Sequence, residues 1–401
     1  MNIIRSVYNA LLAEINRPEV SILLGPRQVG KTFLLNKIQE YAKKLRYKTK
    51  YYNLELPSDL LEFSKSDNDI FHMLTTNVDL VFIDEFHYLP NASHIFKAIV
   101  DSNKKVKIFA SGSSSIEIHK HLKESLAGRR LVTKIAPFTF QEYDSQYSNK
   151  RTNDTLSAYL SFGGMPGLIH ENTNDDKIRL LNELLETYIQ KDIKSLIKEE
   201  NIRAFNNLIY LLAQNQGSLV SISALASEIG LTSRSIEKYI NILEKTFICY
   251  PINSYSKNIG SELKKSRKIY LYDLGLRNAL LKDFEEIDNR SDRGTIYESF
   301  VFLQLQNQLK ANMELKFWRN KAGKEIDFVI LKNRKPFLIE VKTSIHNNNA
   351  PNAFKSFISY YPETLGGIVF SKKFSGETEI LGKNIAFKTF DEIYNLNVFE
   401  N

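Results

Sequence analysis

The sequence predicts an α/β fold that is divided among several domains. From Val20 to about Ser115, short apolar runs alternate with longer helical patterns, which is typical of a parallel sheet with crossover helices. From Gly294 onward, a long apolar helical pattern leads into strand patterns separated by the turns KAGK and KNRK. The length of 401 residues also favours two or three domains over a single one.

The composition is that of a globular protein. Hydrophobic residues make up 43% of the chain, and the formal charge of +8 fits either ordinary surface lysine or a partner that carries phosphates. The single cysteine, Cys249, excludes a disulfide framework, and its apolar neighbours favour a packed core residue over a nucleophile. No stretch approaches the roughly 18 apolar residues of a membrane span, and the first residues lack the apolar core of a signal peptide. We therefore expect a cytoplasmic protein without a membrane partner.

A glycine-rich motif follows the first apolar run. In SILLGPRQVGKTFLL, residues 21–35, an apolar strand pattern precedes the glycines and a helical pattern follows them, which is the context that a phosphate-binding loop (P-loop) needs. The glycines allow backbone N–H groups to surround phosphates, and the helix N-terminus favours negative charge. The motif predicts a nucleoside triphosphate site, with ATP as the ligand, formed by Gly25, Pro26, Arg27, Gln28, Val29, Gly30, Lys31, Thr32 and Phe33.

Two loop residues and two acids have specific expected roles. Lys31 can reach the β- and γ-phosphates, and the Thr32 hydroxyl can ligate Mg²⁺. In DLVFIDEFHYLP, residues 79–90, an apolar strand ends in Asp84 and Glu85, and buried carboxylates are costly unless a cation is near. We expect Asp84 to hold Mg²⁺, mostly through water, and Glu85 to polarise the attacking water. The alternative is a strand-end turn whose acids are solvated.

Further polar residues are candidates for the same site. The strand pattern VKIFASGSSS, residues 106–115, places Ser111 where a sensor of the γ-phosphate would lie, although simple turn chemistry is an alternative. Asn53 ends another strand pattern, where its amide could restrain Glu85. In LAGRR, Arg129 or Arg130 is a candidate to stabilise the phosphate charge of a neighbouring subunit, against the alternative of an ordinary solvated arginine pair.

These motifs together resemble a known family. GPRQVGKT, FIDEFHYLP, FASGSSS, LAGRR and PFTFQEY follow one another as in a family of bacterial and archaeal AAA-type ATPases that carry a C-terminal domain of unknown function. The stretches FGGMPG and LLNELLETYIQKDI are similar to its middle section, so the resemblance covers nearly the whole chain. It implies an AAA-like ATPase core with a helical lid, and ATP and Mg²⁺ as cofactors.

The segment Ile222–Ile248 predicts a winged helix. Its helix–turn–helix pattern turns at Gly230, and Thr232 or Ser233 can cap the second helix. That helix has an apolar face of Ile236, Ile240 and Leu243, and a polar, basic face of Arg234, Lys238, Asn241 and Lys245. The stretch Ser261–Asp273 could be a basic wing. DNA contact is one interpretation, and a small interaction domain whose basic helix faces water is the other.

The C-terminal region predicts a nuclease-like site. Glu298 lies in an apolar helical pattern, Asp327 in the strand EIDFVIL, and Glu340 and Lys342 in PFLIEVKTS. This order resembles the PD-(D/E)XK nuclease superfamily, and archaeal junction resolvases in particular. Glu298, Asp327 and Glu340, together with the Val341 carbonyl, would be metal ligands for Mg²⁺, and Lys342 would orient water or stabilise the reacting phosphate. The alternative is a half-exposed hairpin with ordinary alternation of polar and apolar residues.

The complete prediction is an α/β protein with an AAA-like P-loop parallel-sheet domain and helical lid, a winged helix and a restriction-endonuclease-like α/β domain. The expected ranges are 1–150 for the ATPase core, 151–217 for the lid, 218–292 for the winged helix and 293–401 for the nuclease-like domain. The expected function is ATP hydrolysis associated with DNA and with metal-dependent nuclease potential. The alternative is an ATP-switched regulator that binds DNA or protein and whose nuclease-like domain is inactive. A homo-oligomer is compatible with both, and the large half without a P-loop argues against a small-molecule kinase.

Overall fold

The computed structural model describes residues 5–102, 104–112, 126–147, 152–188, 201–256, 267–345, 347–394 and 396–399. The chain divides into two compact units. The first unit contains residues 1–138, 165–167 and 241–248, and the second contains residues 139–164, 168–240 and 249–401. The predicted domain borders within these units stay predictions.

The first unit contains a parallel sheet, as the alternating pattern predicts. Its strands are β1 (Val20–Leu24), β2 (Thr49–Asn53), β3 (Leu80–Asp84), β4 (Lys107–Gly112) and β5 (Arg130–Lys134). Their order across the sheet is β2-β3-β4-β1-β5, with every neighbouring pair parallel. Strands β1, β3 and β4 are buried along their whole length, which explains why they read as continuous apolar runs.

Helices connect these strands and cover their apolar surfaces. They are α1 (Tyr8–Ala13), α2 (Lys31–Lys44), α3 (Pro57–Glu62), α4 (Asp67–Thr75) and α5 (Ala92–Asp101). Helix α2 begins directly after the glycine-rich loop and buries Leu34, Leu35 and Ile38. Because the strands are parallel, their carboxyl ends meet at one edge of the sheet, and residues that follow β1, β3 and β4 come together there.

Helices dominate the start of the second unit, as predicted for residues 154–214. They are α6 (Phe140–Asp144), α7 (Thr152–Phe162), α8 (Asn174–Thr187) and α9 (Ile202–Gln214). The break after α7 has a steric reason: a Cβ on Gly163 would lie 2.2 Å from Oδ1 of Asp273, and one on Gly275 would lie 1.8 Å from the Phe162 carbonyl oxygen. Asp273 accepts a hydrogen bond from the Gly164 N–H at 2.8 Å. The glycines therefore allow the end of α7 to contact the start of the later helix Leu274–Leu281.

The predicted helix–turn–helix is present. Helix α10 (Ile222–Ile229) ends at Gly230, whose φ is 78°, and α11 (Ser233–Lys245) follows. The apolar face of α11 is buried and its polar, basic face is exposed, as expected for both sets of residues. Short strands β6 (Leu219–Val220), β7 (Cys249–Asn253) and β8 (Arg267–Leu271) pair in the antiparallel order β6-β8-β7.

These elements occur in the order that a winged helix requires, and the winged-helix assignment stays a prediction. Residues 261–266 of the predicted basic wing lie outside the described residues. Cys249 is buried, in agreement with a core role.

The C-terminal part of the second unit is a mixed α/β arrangement. Helices α12 (Leu274–Leu281) and α13 (Arg293–Gln308) precede β9 (Met313–Arg319), β10 (Glu325–Lys332) and β11 (Lys335–Val341). Helix α14 (Asn352–Tyr360) leads to β12 (Gly367–Ser371), β13 (Gly376–Ile380) and β14 (Lys383–Thr389). The strand order is β13-β14-β12-β11-β10-β9, in which β9, β10 and β11 are antiparallel and β11, β12 and β14 are parallel.

Strands β10 and β11 lie inside this sheet. Consecutive residues on both strands are buried, such as Val329 with Ile330 and Leu338 with Ile339. The alternative of a half-exposed hairpin is therefore wrong, whereas the nuclease-like fold stays a prediction. Within the described ranges, no helix has the length and apolar character needed to cross a bilayer.

Candidate nucleotide site and acidic cluster

The loop after β1 has the tight curvature of a phosphate-binding loop. A Cβ on Gly25 would lie 2.1 Å from the Ile135 carbonyl oxygen, so the backbone has no room for a side chain there. Gln28 and Gly30 have φ values of 60° and 92°, in the left-handed region that favours glycine. Pro26, Val29 and the half-buried Phe33 lie in the same loop and helix turn, and Arg27 lies 3.5 Å from Glu55.

Lys31 occupies the inside of this loop. Its side chain is buried, and its ammonium donates to the carbonyl oxygens of Gly25 at 3.0 Å and Pro26 at 2.8 Å. A buried ammonium needs acceptors, and here the loop supplies them. The positive charge therefore lies where the loop and the first turn of α2 would hold phosphate oxygens.

Arg5 supports the loop from the N-terminal segment. Its guanidinium donates to the carbonyl oxygens of Val29 at 2.9 Å and Ala136 at 2.6 Å, and lies 4.9 Å from the ring centre of Phe138. The sequence does not predict this role of Arg5, because nothing in the pattern of its neighbours indicates that its side chain contacts the glycine-rich loop.

The Asp84 carboxylate is the centre of the site. It is 2% exposed and accepts a hydrogen bond from Thr32 Oγ1 at 2.6 Å and from the Tyr51 hydroxyl at 3.1 Å. The Ser111 hydroxyl donates to its other oxygen. Burial and the neighbouring Asp84 charge raise the pKa of Tyr51, so that its phenol stays neutral and donates. The structure thus brings Thr32, Asp84 and Ser111 together as predicted, and it adds Tyr51.

Glu85 lies beside this centre in an unusual backbone conformation. Its φ is 54°, its N–H donates to Ser111 Oγ at 3.3 Å, and its Oε2 lies 3.1 Å from His87 Nδ1. A non-glycine residue in the left-handed region is strained, and such strain clusters at functional sites. Asn53, by contrast, uses its amide oxygen to accept from the Glu55 N–H at 3.0 Å, and this bond holds the turn after β2.

The candidate arginines lie at the end of the sheet opposite to the glycine-rich loop. Arg130 is in register with Val20, the first residue of β1, and Arg129 Nε lies 2.5 Å from Asp101 Oδ1. Both arginines are therefore at the amino ends of the strands, whereas the glycine-rich loop is at the carboxyl ends. Neither can serve the chain's own loop, and a role toward a neighbouring subunit stays a prediction.

The nucleotide site suits Mg²⁺ in its donor types. Thr32 and Asp84 offer a hydroxyl and a carboxylate oxygen, and Mg²⁺ prefers oxygen ligands. A nucleotide-bound Mg²⁺ takes most of its remaining ligands from phosphates and water, so one or two protein ligands suffice.

A second group of charged residues lies in the C-terminal sheet. Asp327 Oδ2 accepts from the Val341 N–H at 2.8 Å, and Glu340 Oε1 lies 2.6 Å from the Lys342 ammonium. Burial and the carboxylates of Glu340 and Glu298 raise the pKa of Asp327 well above its usual range. Burial also raises the pKa of Glu340, although Lys342 opposes this shift. The predicted acids are therefore close enough to repel one another.

Lys268, on β8, neutralises part of this group. Its side chain is 2% exposed, and its ammonium lies 2.6 Å from Glu325 Oε1 and 3.1 Å from Glu298 Oε1. The Tyr270 hydroxyl donates to the same Glu298 oxygen at 2.5 Å. Burial alone lowers the pKa of Lys268, but Glu298 and the other nearby carboxylates outweigh it, so the pKa is raised and the lysine stays charged. Sequence reasoning missed Lys268, which comes from a different segment.

This arrangement bears on the expected metal site. Among the described residues, no three histidine, cysteine or acidic side chains are placed so that they could hold a metal ion. The expected metal site of Glu298, Asp327 and Glu340 stays a prediction. Lys268 and Tyr270 donate to Oε1 of Glu298, and the Lys342 ammonium pairs with Oε1 of Glu340, so a metal ion would compete with these donors.

Three family models match consecutive parts of the chain. Residues 17–144 match the AAA domain, residues 153–287 match a domain of unknown function (DUF8612), and residues 293–379 match another domain of unknown function (DUF4143). These matches agree with the AAA-type core expected from the motifs. They leave the activity of the C-terminal part open.

Similar proteins come from both bacteria and archaea. An uncharacterized protein of Mycobacterium tuberculosis is 25% identical over 331 residues, which cover 82% of this chain and 71% of the relative. An uncharacterized protein of Methanocaldococcus jannaschii is 25% identical over 358 residues, covering 84% and 78% of the two chains. The Walker-type ATPase of Pyrococcus abyssi has a similar structure, with a TM-score of 0.50 and 16% identity, covering 70% of this chain and 96% of that one. The chain therefore contains an AAA-like P-loop ATPase domain.

Replacing Lys268 with methionine tests the role of the lysine in the acidic cluster. Removal of one partner from a buried ion pair typically costs about 3–5 kcal/mol, so Lys268→Met should melt earlier than the wild type in the absence of metal. The uncompensated acids should then gain stability from millimolar Mn²⁺, which the wild type should not do. Thermal unfolding followed through Trp318, the single tryptophan, measures both effects.

Lys372→Met is the matched control, because it removes an ion pair with Asp288 at the surface of the same unit. It should show neither effect. A wild-type protein that Mn²⁺ already stabilises as strongly as it stabilises Lys268→Met would contradict this account of the cluster.

Proposed function

We propose that the chain binds ATP together with Mg²⁺ and hydrolyses the terminal phosphate at the loop after β1. The observation that supports this most directly is the contact of 2.6 Å between Thr32 Oγ1 and Asp84. It joins the residue after the loop lysine to the acid at the end of β3, which is the pair that a P-loop ATPase uses to hold Mg²⁺.

Each residue of the site has a role that its position supports. The Lys31 ammonium would exchange the carbonyl oxygens of Gly25 and Pro26 for phosphate oxygens, which carry more negative charge. Bound Mg²⁺ would supply charge neutralisation on the phosphates. The Glu85 carboxylate, whose Oε2 lies 3.1 Å from His87 Nδ1, would accept a proton from the attacking water.

Ser111 is suited to connect the two acids. Its hydroxyl donates to Asp84 and accepts from the Glu85 N–H. A displacement of either acid on nucleotide binding would therefore move Ser111 and, through it, the other acid. We assign Ser111 the role of sensing the γ-phosphate through these bonds. Arg129, whose ion pair with Asp101 is exposed, would be available to the nucleotide of a neighbouring copy in a homo-oligomer.

A second proposed activity is DNA binding by α11. The observation in its favour is that Arg234, Lys238, Asn241 and Lys245 are all exposed, while the opposite face of the helix is buried. A basic surface backed by a packed face is what a helix needs to contact a duplex. In this alternative, the C-terminal domain would act as a binding platform rather than as a nuclease.

Two variants test the ATPase assignment. Lys31→Ala should abolish both nucleotide binding and turnover, because it removes the charge that faces the phosphates. Glu85→Gln should bind nucleotide but turn it over at least about 100-fold more slowly, because the amide cannot accept the proton. Phosphate release and binding of a fluorescent ATP analogue measure these two quantities. Turnover at the wild-type rate in both variants would refute the assignment.

Charge reversal on α11 tests the DNA interpretation. Changing Arg234, Lys238 and Lys245 to Glu should weaken binding to duplex DNA, most strongly at low salt, because phosphate contacts release counterions. Gel shifts over a salt series measure the loss, and reversal of the exposed Lys97 in the first unit serves as control. Identical salt series for wild type and the α11 variant would exclude this helix from DNA binding.

A further inference from the structure

A cavity of about 500 Å³ lies in the second unit, between the end of β9 and the end of α14. The residues that matter for its chemistry are Ser254, Trp318, Arg319, Lys321, Tyr360 and Tyr361. None of them belongs to the nucleotide site, and Arg319 contacts the acidic cluster through Glu325. The volume is within the range of roughly 300–1,000 Å³ that is common for small-molecule sites.

One wall of the cavity is aromatic. Trp318 packs edge-on against Phe357 with ring centres 5.3 Å apart, and Phe357 lies 4.5 Å from Tyr361. Trp318 and Tyr361, which line the cavity, therefore belong to one packed aromatic group. Tyr360, in contrast, is 67% exposed at the edge of the cavity, so its ring face is available for stacking with a planar ligand.

The rim of the cavity is basic. Arg319 and Lys321 line it, and Lys324 follows on the same turn with its ammonium 2.7 Å from Ser356 Oγ. Glu325 neutralises one of these charges through a contact of 3.1 Å with Arg319. The turn therefore presents a net positive charge next to the aromatic wall, which favours an anionic ligand.

The cavity also contains a buried hydroxyl without a partner. Ser254 is 2% exposed, and its Oγ has no hydrogen-bond partner among the described residues. A buried polar group that lacks a partner is costly, and native structures rarely keep one without a reason. A polar edge of a bound ligand would satisfy this hydroxyl.

We propose that this cavity binds a nucleotide unit, separately from the ATP site. Its base stacks on Tyr360 and hydrogen-bonds to the Ser254 hydroxyl, and its phosphate contacts Arg319 and Lys321. The planar base matches the exposed aromatic ring, the polar base edge matches the buried hydroxyl, and the phosphate matches the basic rim. Proteins commonly hold unpaired nucleotides by aromatic stacking next to a positively charged groove. The unit is either a free mononucleotide or part of a single strand, since both offer this chemistry. The proposal does not depend on ATP hydrolysis or on α11.

Trp318 provides a direct measurement, because it is the single tryptophan of the chain and lines the cavity. The full-length protein is titrated with thymidine monophosphate and, separately, with a short oligothymidylate while tryptophan emission is recorded. Saturable quenching is expected. Tyr360→Ala, Lys321→Ala and Ser254→Ala should each weaken binding, with the loss of stacking in Tyr360→Ala worth roughly tenfold.

Tyr210→Ala is the matched control, because it removes another exposed tyrosine of the same unit, on α9. It should bind like the wild type. Quenching by both ligands assigns the site to nucleotides in general, and quenching by the oligonucleotide alone assigns it to a single strand. The proposal is overturned if neither ligand quenches up to millimolar concentration, or if the three cavity variants bind as well as the wild type.

Discussion

The carboxylate of Asp84 is buried at the carboxyl end of a central strand, and a charge in that position requires donors around it. The donors come from separate elements: Thr32 from the start of α2, Tyr51 from β2 and Ser111 from β4. They reach one point only because the parallel sheet places β3 between β2 and β4, with β1 and its loop next to β4. The same arrangement fixes the position of Lys31. Lys31 and Thr32 are the first two residues of α2, and the contact between Thr32 and Asp84 holds this end of the helix in place.

The second unit also buries carboxylates, and lysine side chains stabilise them. Its acids at residues 298, 325, 327 and 340 are close together, and their repulsion and burial would be severe without positive charge. Lys268 and Lys342 supply that charge from β8 and from the residue after β11. In the first unit, hydroxyl groups donate to the Asp84 carboxylate and leave room for a bound cation. In the second unit, lysine side chains supply the positive charge beside the carboxylates. The two sites therefore differ in the source of the positive charge that faces their carboxylates.

The sequence predicted those features that depend on neighbouring residues. Gly25, Gly30 and Lys31 belong to one continuous motif, Asp84 follows one apolar run, and the two faces of α11 follow from helical spacing. Contacts between distant segments were missed: Arg5 reaches Val29, Tyr51 reaches Asp84 and Lys268 reaches Glu298, and no local pattern marks any of these pairs. For the same reason, the spacing could align the acids at residues 298, 327 and 340 but could not show that Lys268 contacts Glu298.

Nucleotide affinity with and without Mg²⁺ tests the central role of the contact between Thr32 and Asp84 most directly. Calorimetric titration of wild type and Thr32→Val with a non-hydrolysable ATP analogue separates the phosphate contribution of Lys31 from the metal contribution of Thr32. The wild type should bind more tightly when Mg²⁺ is present, and Thr32→Val should keep the metal-free affinity but lose most of that gain. Absence of binding in the wild type, or an equal gain from Mg²⁺ in both proteins, would contradict the account.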